Sequence, residues 1–236
     1  MLTTLLEAFI RPEDFWTLFR VETWEMVLKG LLIGILVSAP MGPVGLLIIR
    51  RTMNKGRCYG ISTGIGAAIS DMIYALITGL GVSFVMDFIN DQRYVFWLKL
   101  AGAAMLLAFG IHMFLSNPIK GFRQSPNTGR GTVWHNGITG FLITFSNPLI
   151  IFLFIACFSL LTFVVPKHWL EMAMGYASIL CGATLWWLAL TYIIKRMRNK
   201  ITIRGMLYFN RILGSVVISI SFVYAIITLF HLNWLY

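Results

Sequence analysis

Residues 26–49 read MVLKGLLIGILVSAPMGPVGLLII, an apolar run that contains Pro40, Gly42 and Pro43 near its centre. An α-helix needs ~20 apolar residues to cross a bilayer, and this run is long enough. Proline lacks the backbone N–H that a helix interior uses, and its ring clashes with the preceding turn. The run therefore predicts a transmembrane helix that is broken near the middle of the membrane.

Apolar runs of similar length follow along the rest of the chain, at 58–86, 94–115, 136–165, 169–194 and 206–230. The chain is 58% hydrophobic and 12% charged, whereas soluble chains have ~45–50% and ~25%. The runs also lack the period of two that the strands of a membrane barrel require. The sequence predicts an all-α integral membrane protein with six transmembrane helices.

The fourth run, GFLITFSNPLIIFLF at 140–154, contains a second break at Asn147-Pro148. Ser38-Ala39-Pro40 in the first run matches Ser146-Asn147-Pro148 in the fourth, and residues 96–103 match 208–215 at nearly the same offset. A duplicated unit of three helices must be inverted in the membrane, as in many transporters. We therefore predict two inverted three-helix repeats with broken helices 1 and 4.

Basic residues concentrate in alternate loops. Of the 19 Lys and Arg residues, 13 fall on one side of the predicted bundle: Arg50, Arg51, Lys55, Arg57, Lys120, Arg123, Arg130, Lys195, Arg196, Arg198, Lys200, Arg204 and Arg211. The positive-inside rule makes this side cytoplasmic and puts both termini on the outer side. The net charge of +10 then reflects topology and contact with anionic lipid, and we expect no nucleic-acid partner.

These boundaries divide the chain into four segments. They are an outer interfacial amphipathic segment at 1–24, a first three-helix repeat at 25–119, a basic cytoplasmic loop at 120–135 and a second repeat at 136–236.

The two breaks predict a binding site for an anion. Each half-helix that follows a break has free N–H groups and the positive end of its dipole at the midplane, an arrangement that suits a carboxylate. The candidate substrate-binding residues are Ser38, Pro40, Gly42, Pro43, Ser146, Asn147 and Pro148. The alternative is that each break is a harmless kink.

Asp71 is the acidic residue deepest in any predicted span, ~20 Å from its start at 1.5 Å per residue. Insertion of an Asp there costs ~2.5–3.5 kcal/mol, which favours a functional role. Asp71 is predicted to carry a proton or to bind a substrate ammonium. The alternative is a structural carboxyl group that bonds to a neighbouring helix, or to Ser70 or Thr63.

Several other patterns favour packing over chemistry. Small residues beside Asp71, at Gly60, Gly64 and Gly66, predict close helix packing, with a substrate path or a homodimer face as the alternative. Trp186 and Trp187 lie deep in the fifth span, where core packing is favoured over stacking on a substrate. The three cysteines lack metal-ligand spacing, so neither a metal site nor a cofactor is expected.

Three segments together resemble a known family: SAPMGPVGLLIIRRTMNKGRCYG at 38–60, GIGAAISDMIYAL at 64–76 and the Asn-Pro segment at 140–154. The chain resembles translocators of the lysine exporter (LysE/RhtB-type) family over about 25–230. The resemblance implies a bacterial inner-membrane exporter of amino acids or similar small metabolites, driven by protons. Val44 and Leu149 stand where the family often has Asn and Lys, which bears on the substrate.

The resulting hypothesis is alternating access. A zwitterion binds with its carboxylate on the half-helix N-termini, while Asp71 binds the ammonium or exchanges a proton. A passive channel is the main alternative, although broken helices and repeats favour a gated carrier. An intramembrane enzyme is less well supported, because an aspartyl protease needs a second deep Asp and a serine hydrolase needs a His near its Ser.

Overall fold

A computed structural model describes residues 21–40, 42–88, 92–116, 131–147, 149–161, 163, 169–196 and 203–233. Eight helices form within these residues: α1 Val21–Ser38, α2 Pro43–Asn54, α3 Arg57–Phe88, α4 Gln92–Leu115, α5 Val133–Phe145, α6 Leu149–Leu160, α7 Trp169–Arg196 and α8 Ile203–Asn233. The described part of the chain has no strand. Most of the predicted segment 1–24 and of the loop 120–135 lies outside the described residues.

By length and composition the helices provide up to five membrane spans, and α4 contains a shorter apolar stretch, Lys99–Leu115, at the place of the sixth. α3, α7 and α8 are each long and apolar enough to cross a bilayer, and the bent pairs α1–α2 and α5–α6 provide two more spans. α4 has 24 residues and runs between the second span and the fourth. Apolar side chains exposed on the outside of the bundle, such as Leu80, Phe222 and Phe230, suit a lipid environment. The chain is therefore an all-helical, multi-pass membrane protein.

Both predicted breaks are present. The axes of α1 and α2 differ in direction by 80°, and those of α5 and α6 by 73°. Pro43 is in the first turn of α2, where the missing N–H of a proline costs no hydrogen bond. At the second break, the hydroxyl of Tyr74 donates to the carbonyl of Phe145 at 2.6 Å, which satisfies a backbone group near the end of α5.

The helix packing has the exchange symmetry that inverted repeats require. α1 crosses α7 where a Cβ on Gly34 would meet the carbonyl of Ile179, and α5 crosses α3 where a Cβ on Gly140 would meet the carbonyl of Thr63. Exchanging the first three spans with the last three converts one crossing into the other. This packing supports the predicted repeat and aligns Ser38 with Thr144, whereas the sequence match paired Ser38 with Ser146.

Arg51 differs from its predicted place in a basic loop. It lies inside α2, only 4% exposed, and its Nη1 donates to Thr63 Oγ1 and to the carbonyl of Asn136, both at 2.8 Å. α2 continues to Asn54, and Gly56, with φ +109°, allows the sharp turn into α3. Arg51 therefore joins three helices instead of facing solvent or lipid.

Candidate functional site

A cavity of about 250 Å³ lies beside the two breaks. Its lining comes from both predicted repeats. α2 and α6 follow the breaks, α3 and α7 are the second helices of the predicted repeats, and α4 and α8 are the third. Five of the predicted site residues line it together with Asp71: Ser38, Pro40, Gly42, Pro43 and Asn147. The structure thus brings most of the predicted residues to one cavity.

Asp71 is the carboxylate of this cavity within the described part of the chain. Its side chain is 4% exposed, and Ser38 Oγ donates to Asp71 Oδ2 at 3.1 Å. No Lys or Arg that the structure describes forms an ion pair with it. Of the partners considered from the sequence, Thr63 instead donates to the carbonyl of Tyr59, and Ser70 Oγ has no partner among the described residues. The carboxyl group keeps lone pairs available for a cation or a proton.

The N-terminus of α2 faces the cavity. Gly42 is the N-cap residue, in an extended conformation, and no side chain that the structure describes caps the helix there. Val44 and Gly45, in the first turn, also line the cavity. Their N–H groups belong to the helix end that has no intrahelical partner, so this end can accept an anion.

The N-terminus of α6 is arranged differently. Asn147 Oδ1 accepts a hydrogen bond from the N–H of Leu149 at 3.2 Å, and the Asn147 carbonyl accepts one from Ile150 at 3.3 Å. The sequence predicted free N–H groups at both half-helices, but here Asn147 occupies the first of them. An Asx side chain is the expected competitor for such a donor.

Two other predicted residues are not placed in the cavity. Ser146 is exposed, and its hydroxyl donates back to the carbonyl of Leu142 at 2.7 Å, so it is not one of the lining residues. Pro148 lies outside the described residues.

The cavity extends toward the end of the bundle where α3 begins and α7 ends, which we call the basic side because it carries Arg50, Lys55, Arg57, Lys195 and Arg196. His112, Ser116 and Asn210 line this extension. Asn210 Nδ2 donates to Ser116 Oγ at 3.3 Å, which links α8 to the end of α4. Polar groups therefore connect the central site to the basic side.

The opposite end of the bundle is filled by aromatic side chains. Phe154 and Phe158 on α6 pack edge to face, and Phe158 packs on Phe163 with ring centroids 4.8 Å apart. These three residues, which we call the aromatic cluster, are each no more than 3% exposed. A close crossing between α4 and α6, at Gly102 and Ser159, adds to the packing at this end.

Among the lining residues that sequence reasoning did not assign to the site are Thr144 and Trp187, for which core packing was favoured over stacking on a substrate. Thr144 is the packing equivalent of Ser38. Trp187 is 5% exposed and packs in the core as predicted, but it also lines the cavity. The repeat, aligned on the glycine crossings, would have identified both. The small residues beside Asp71 pack within the chain: Gly60 on Thr52 and Gly64 on Trp187.

The described residues hold no group of three His, Cys, Asp or Glu side chains that could bind a metal ion.

Comparison with known proteins gives a consistent family. A family model described as LysE type translocator matches residues 35–227. The Bacillus subtilis (strain 168) protein named "Putative amino acid efflux protein YcgF" is 26% identical over 177 residues, which is 74% of this chain and 83% of that protein. The Escherichia coli (strain K12) "Uncharacterized membrane protein YahN" is 27% identical over 143 residues, 59% of this chain and 61% of that protein. No solved structure is significantly similar to the chain.

Proposed function

This chain belongs to the LysE type translocator family, and from that premise we propose that it exports amino acids or related small metabolites from a bacterial cell by proton-coupled alternating access. The observation that carries the proposal is the cavity between the two broken spans, where Asp71 and the N-terminus of α2 line the same space. Broken helices around a central site are typical of secondary transporters.

The two ends of a zwitterionic amino acid match the two poles of this cavity. The ammonium binds Asp71, because the carboxylate oxygens of Asp71 still have free lone pairs after one of them accepts the hydrogen bond from Ser38. The carboxylate binds the N–H groups in the first turn of α2, where the helix dipole favours negative charge. Each end of the substrate thus replaces the water that it loses with a charged or dipolar partner.

Asp71 also provides the coupling to protons. A carboxyl group at this depth is stable either neutral or paired with a cation, so a proton and the substrate ammonium compete for the same oxygens. A proton that enters from outside displaces the substrate there, and substrate binding from inside displaces the proton. One proton moves inward for each amino acid that leaves.

Unequal packing of equivalent helix pairs supports alternating access. α4 packs against α6 at the end of the bundle that holds the aromatic cluster. The equivalent pair under exchange of the repeats is α8 with α2, and within the described residues these helices are not packed in the same way. The lining of the cavity extends toward the basic side through Asn210 on α8 and Ser116 beyond α4. If α8 packed against α2 and α4 separated from α6, the basic side would close and the end with the aromatic cluster would open. This is the transition that a carrier needs.

The positive-inside rule makes the basic side cytoplasmic, with both termini in the periplasm. In this orientation the cavity extends toward the cytoplasm, where an exporter collects its substrate. A passive channel is less favoured, because the aromatic cluster fills the far end of the path. We also propose that the protein is a translocator without enzymatic activity, in keeping with its family.

Flux through proteoliposomes that contain the purified protein tests this proposal. Vesicles loaded with a mixture of radiolabelled amino acids should release them faster when the outside is acidified, and a proton ionophore should remove the difference. Unlabelled substrate on the far side should accelerate release at equal pH, because a carrier exchanges. Flux that is insensitive to the pH gradient and to exchange would identify a channel.

A further inference from the structure

Trp187 occupies the position on α7 that Asp71 occupies on α3. A Cβ on Gly66 would meet the carbonyl of Gly137, and a Cβ on Gly182 would meet the carbonyl of Leu31, so these glycines mark equivalent crossings. Asp71 is five residues beyond the first glycine and Trp187 five beyond the second. Both side chains line the cavity. The two repeats thus contribute an acceptor and a donor from matching positions.

The indole N–H of Trp187 is a buried donor that no acceptor in the described chain satisfies. The side chain is 5% exposed, and its Nε1 has no hydrogen-bond acceptor among the described residues. Buried indole N–H groups normally have a partner, and an unsatisfied one is costly. The N-terminus of α2, which lines the same cavity, has no side-chain cap. A carboxylate can accept hydrogen bonds from both donors, the indole N–H of Trp187 and the backbone N–H groups at the N-terminus of α2.

Beside these polar groups, much of the cavity wall is apolar. Val44 and Leu149, one in the first turn of α2 and the other at the start of α6, both line the cavity, as do Ile150, Leu153 and Phe109. Asp71 and His112 are the titratable groups of the lining that the structure describes, and His112 lies at the basic-side end. A charged substrate side chain would therefore lose its hydration without gaining an opposite charge.

We propose that Trp187 donates its indole N–H to the carboxylate of the substrate, and that the substrate is an α-amino acid with an uncharged, apolar side chain lying against Val44 and Leu149. The inference rests on the proposed function and names its substrate class.

The substitution that tests the donor is Trp187→Phe, which keeps an aromatic ring and removes the N–H. Trp186→Phe is the matched control, because the Nε1 of Trp186 also has no partner among the described residues, but Trp186 stacks on Phe209 and does not line the cavity. In exchange assays with radiolabelled leucine, Trp187→Phe should raise the half-saturating concentration about tenfold or more, and Trp186→Phe should leave it unchanged. Equal values for the two variants would overturn the role of Trp187.

A second measurement does not depend on the variant folding well. Leucinamide has the same side chain and ammonium as leucine but no carboxylate, so it should compete with leucine at least tenfold more weakly in the wild-type protein. Trp187→Phe should reduce this discrimination, which a purely structural role for the indole would not do. Equal competition by leucine and leucinamide in the wild type would overturn carboxylate recognition.

Competition among side chains tests the substrate class. Leucine and valine should inhibit exchange at concentrations at least tenfold lower than lysine or glutamate. If lysine or glutamate exchanges as well as leucine, the substrate class is wrong while the proposed transport function stands. If no amino acid exchanges, the proposed function itself fails.

Discussion

Gly66→Ala and Gly81→Ala, two substitutions in α3, should have different effects on stability. A Cβ on Gly66 would lie 2.8 Å from the carbonyl carbon of Gly137 and 2.9 Å from the N of Phe141, whereas a Cβ on Gly81 would meet nothing within 4 Å. Carbon atoms pack at ~3.5–4.0 Å, so α5 must move away from α3 by about 1 Å. The obstructing atoms are backbone atoms, and no rotamer change can relieve the overlap.

Overpacking of this kind costs ~1–3 kcal/mol. Replacing Gly by Ala in a helix gains up to ~1 kcal/mol in both variants, so the gain cancels when the two are compared. We expect Gly66→Ala to be less stable than Gly81→Ala by about 1–3 kcal/mol in equilibrium unfolding in detergent micelles. Transport should also fall in Gly66→Ala, because α5 positions Thr144 at the cavity. Equal unfolding midpoints would refute the close crossing of α3 and α5.

Three further predictions concern topology, the breaks and the bond to Asp71. Reporter fusions at residues 54, 126 and 199 should be cytoplasmic and those at 89, 167 and 236 periplasmic; a cytoplasmic C-terminus would also contradict the inverted repeat. The double variant Pro43→Ala, Pro148→Ala should insert normally but lose substrate binding in equilibrium assays, because continuous helices present no free N–H groups at the midplane. Full transport by this variant would show that the breaks are only kinks. Ser38→Ala removes the hydrogen bond to Asp71 and should slow exchange several-fold. Ser70→Ala is the control, because Ser70 is a buried serine without a partner in the described chain, and it should leave the rate unchanged. Similar exchange rates in the two variants would show that Ser38 has no role in the site.

The overall fold could be predicted because its determinants are local. A bilayer requires long apolar runs, and the prolines interrupt helices without help from distant residues. The all-helical membrane fold and both breaks were therefore correctly predicted. Arg51 was misassigned to a loop, because the sequence does not reveal that α2 extends past it or that Thr63 and the Asn136 carbonyl accept its hydrogen bonds.

The site depends on which helices meet, and the sequence does not determine that. Asp71 was recognised from its depth, but its partner Ser38 lies 33 residues away on another span. Asn147 was expected to leave a free helix end and instead caps it. Trp187 was assigned to the core because an apolar wall and a cavity wall have the same sequence signature. Its equivalence to Asp71 follows only from the glycine crossings.

Transport by Asp71→Asn tests the central claim, that one buried carboxyl group alternates between a proton and the substrate ammonium. Asn keeps the shape and hydrogen bonding of Asp but cannot ionise. The purified variant, compared with wild type in proteoliposomes, should insert and fold normally yet lose efflux driven by a pH gradient. Its apparent affinity in exchange at equal pH should fall by ~1.5–3 kcal/mol, the contribution of a charged hydrogen bond. Wild-type rates of gradient-driven efflux in Asp71→Asn would contradict the account.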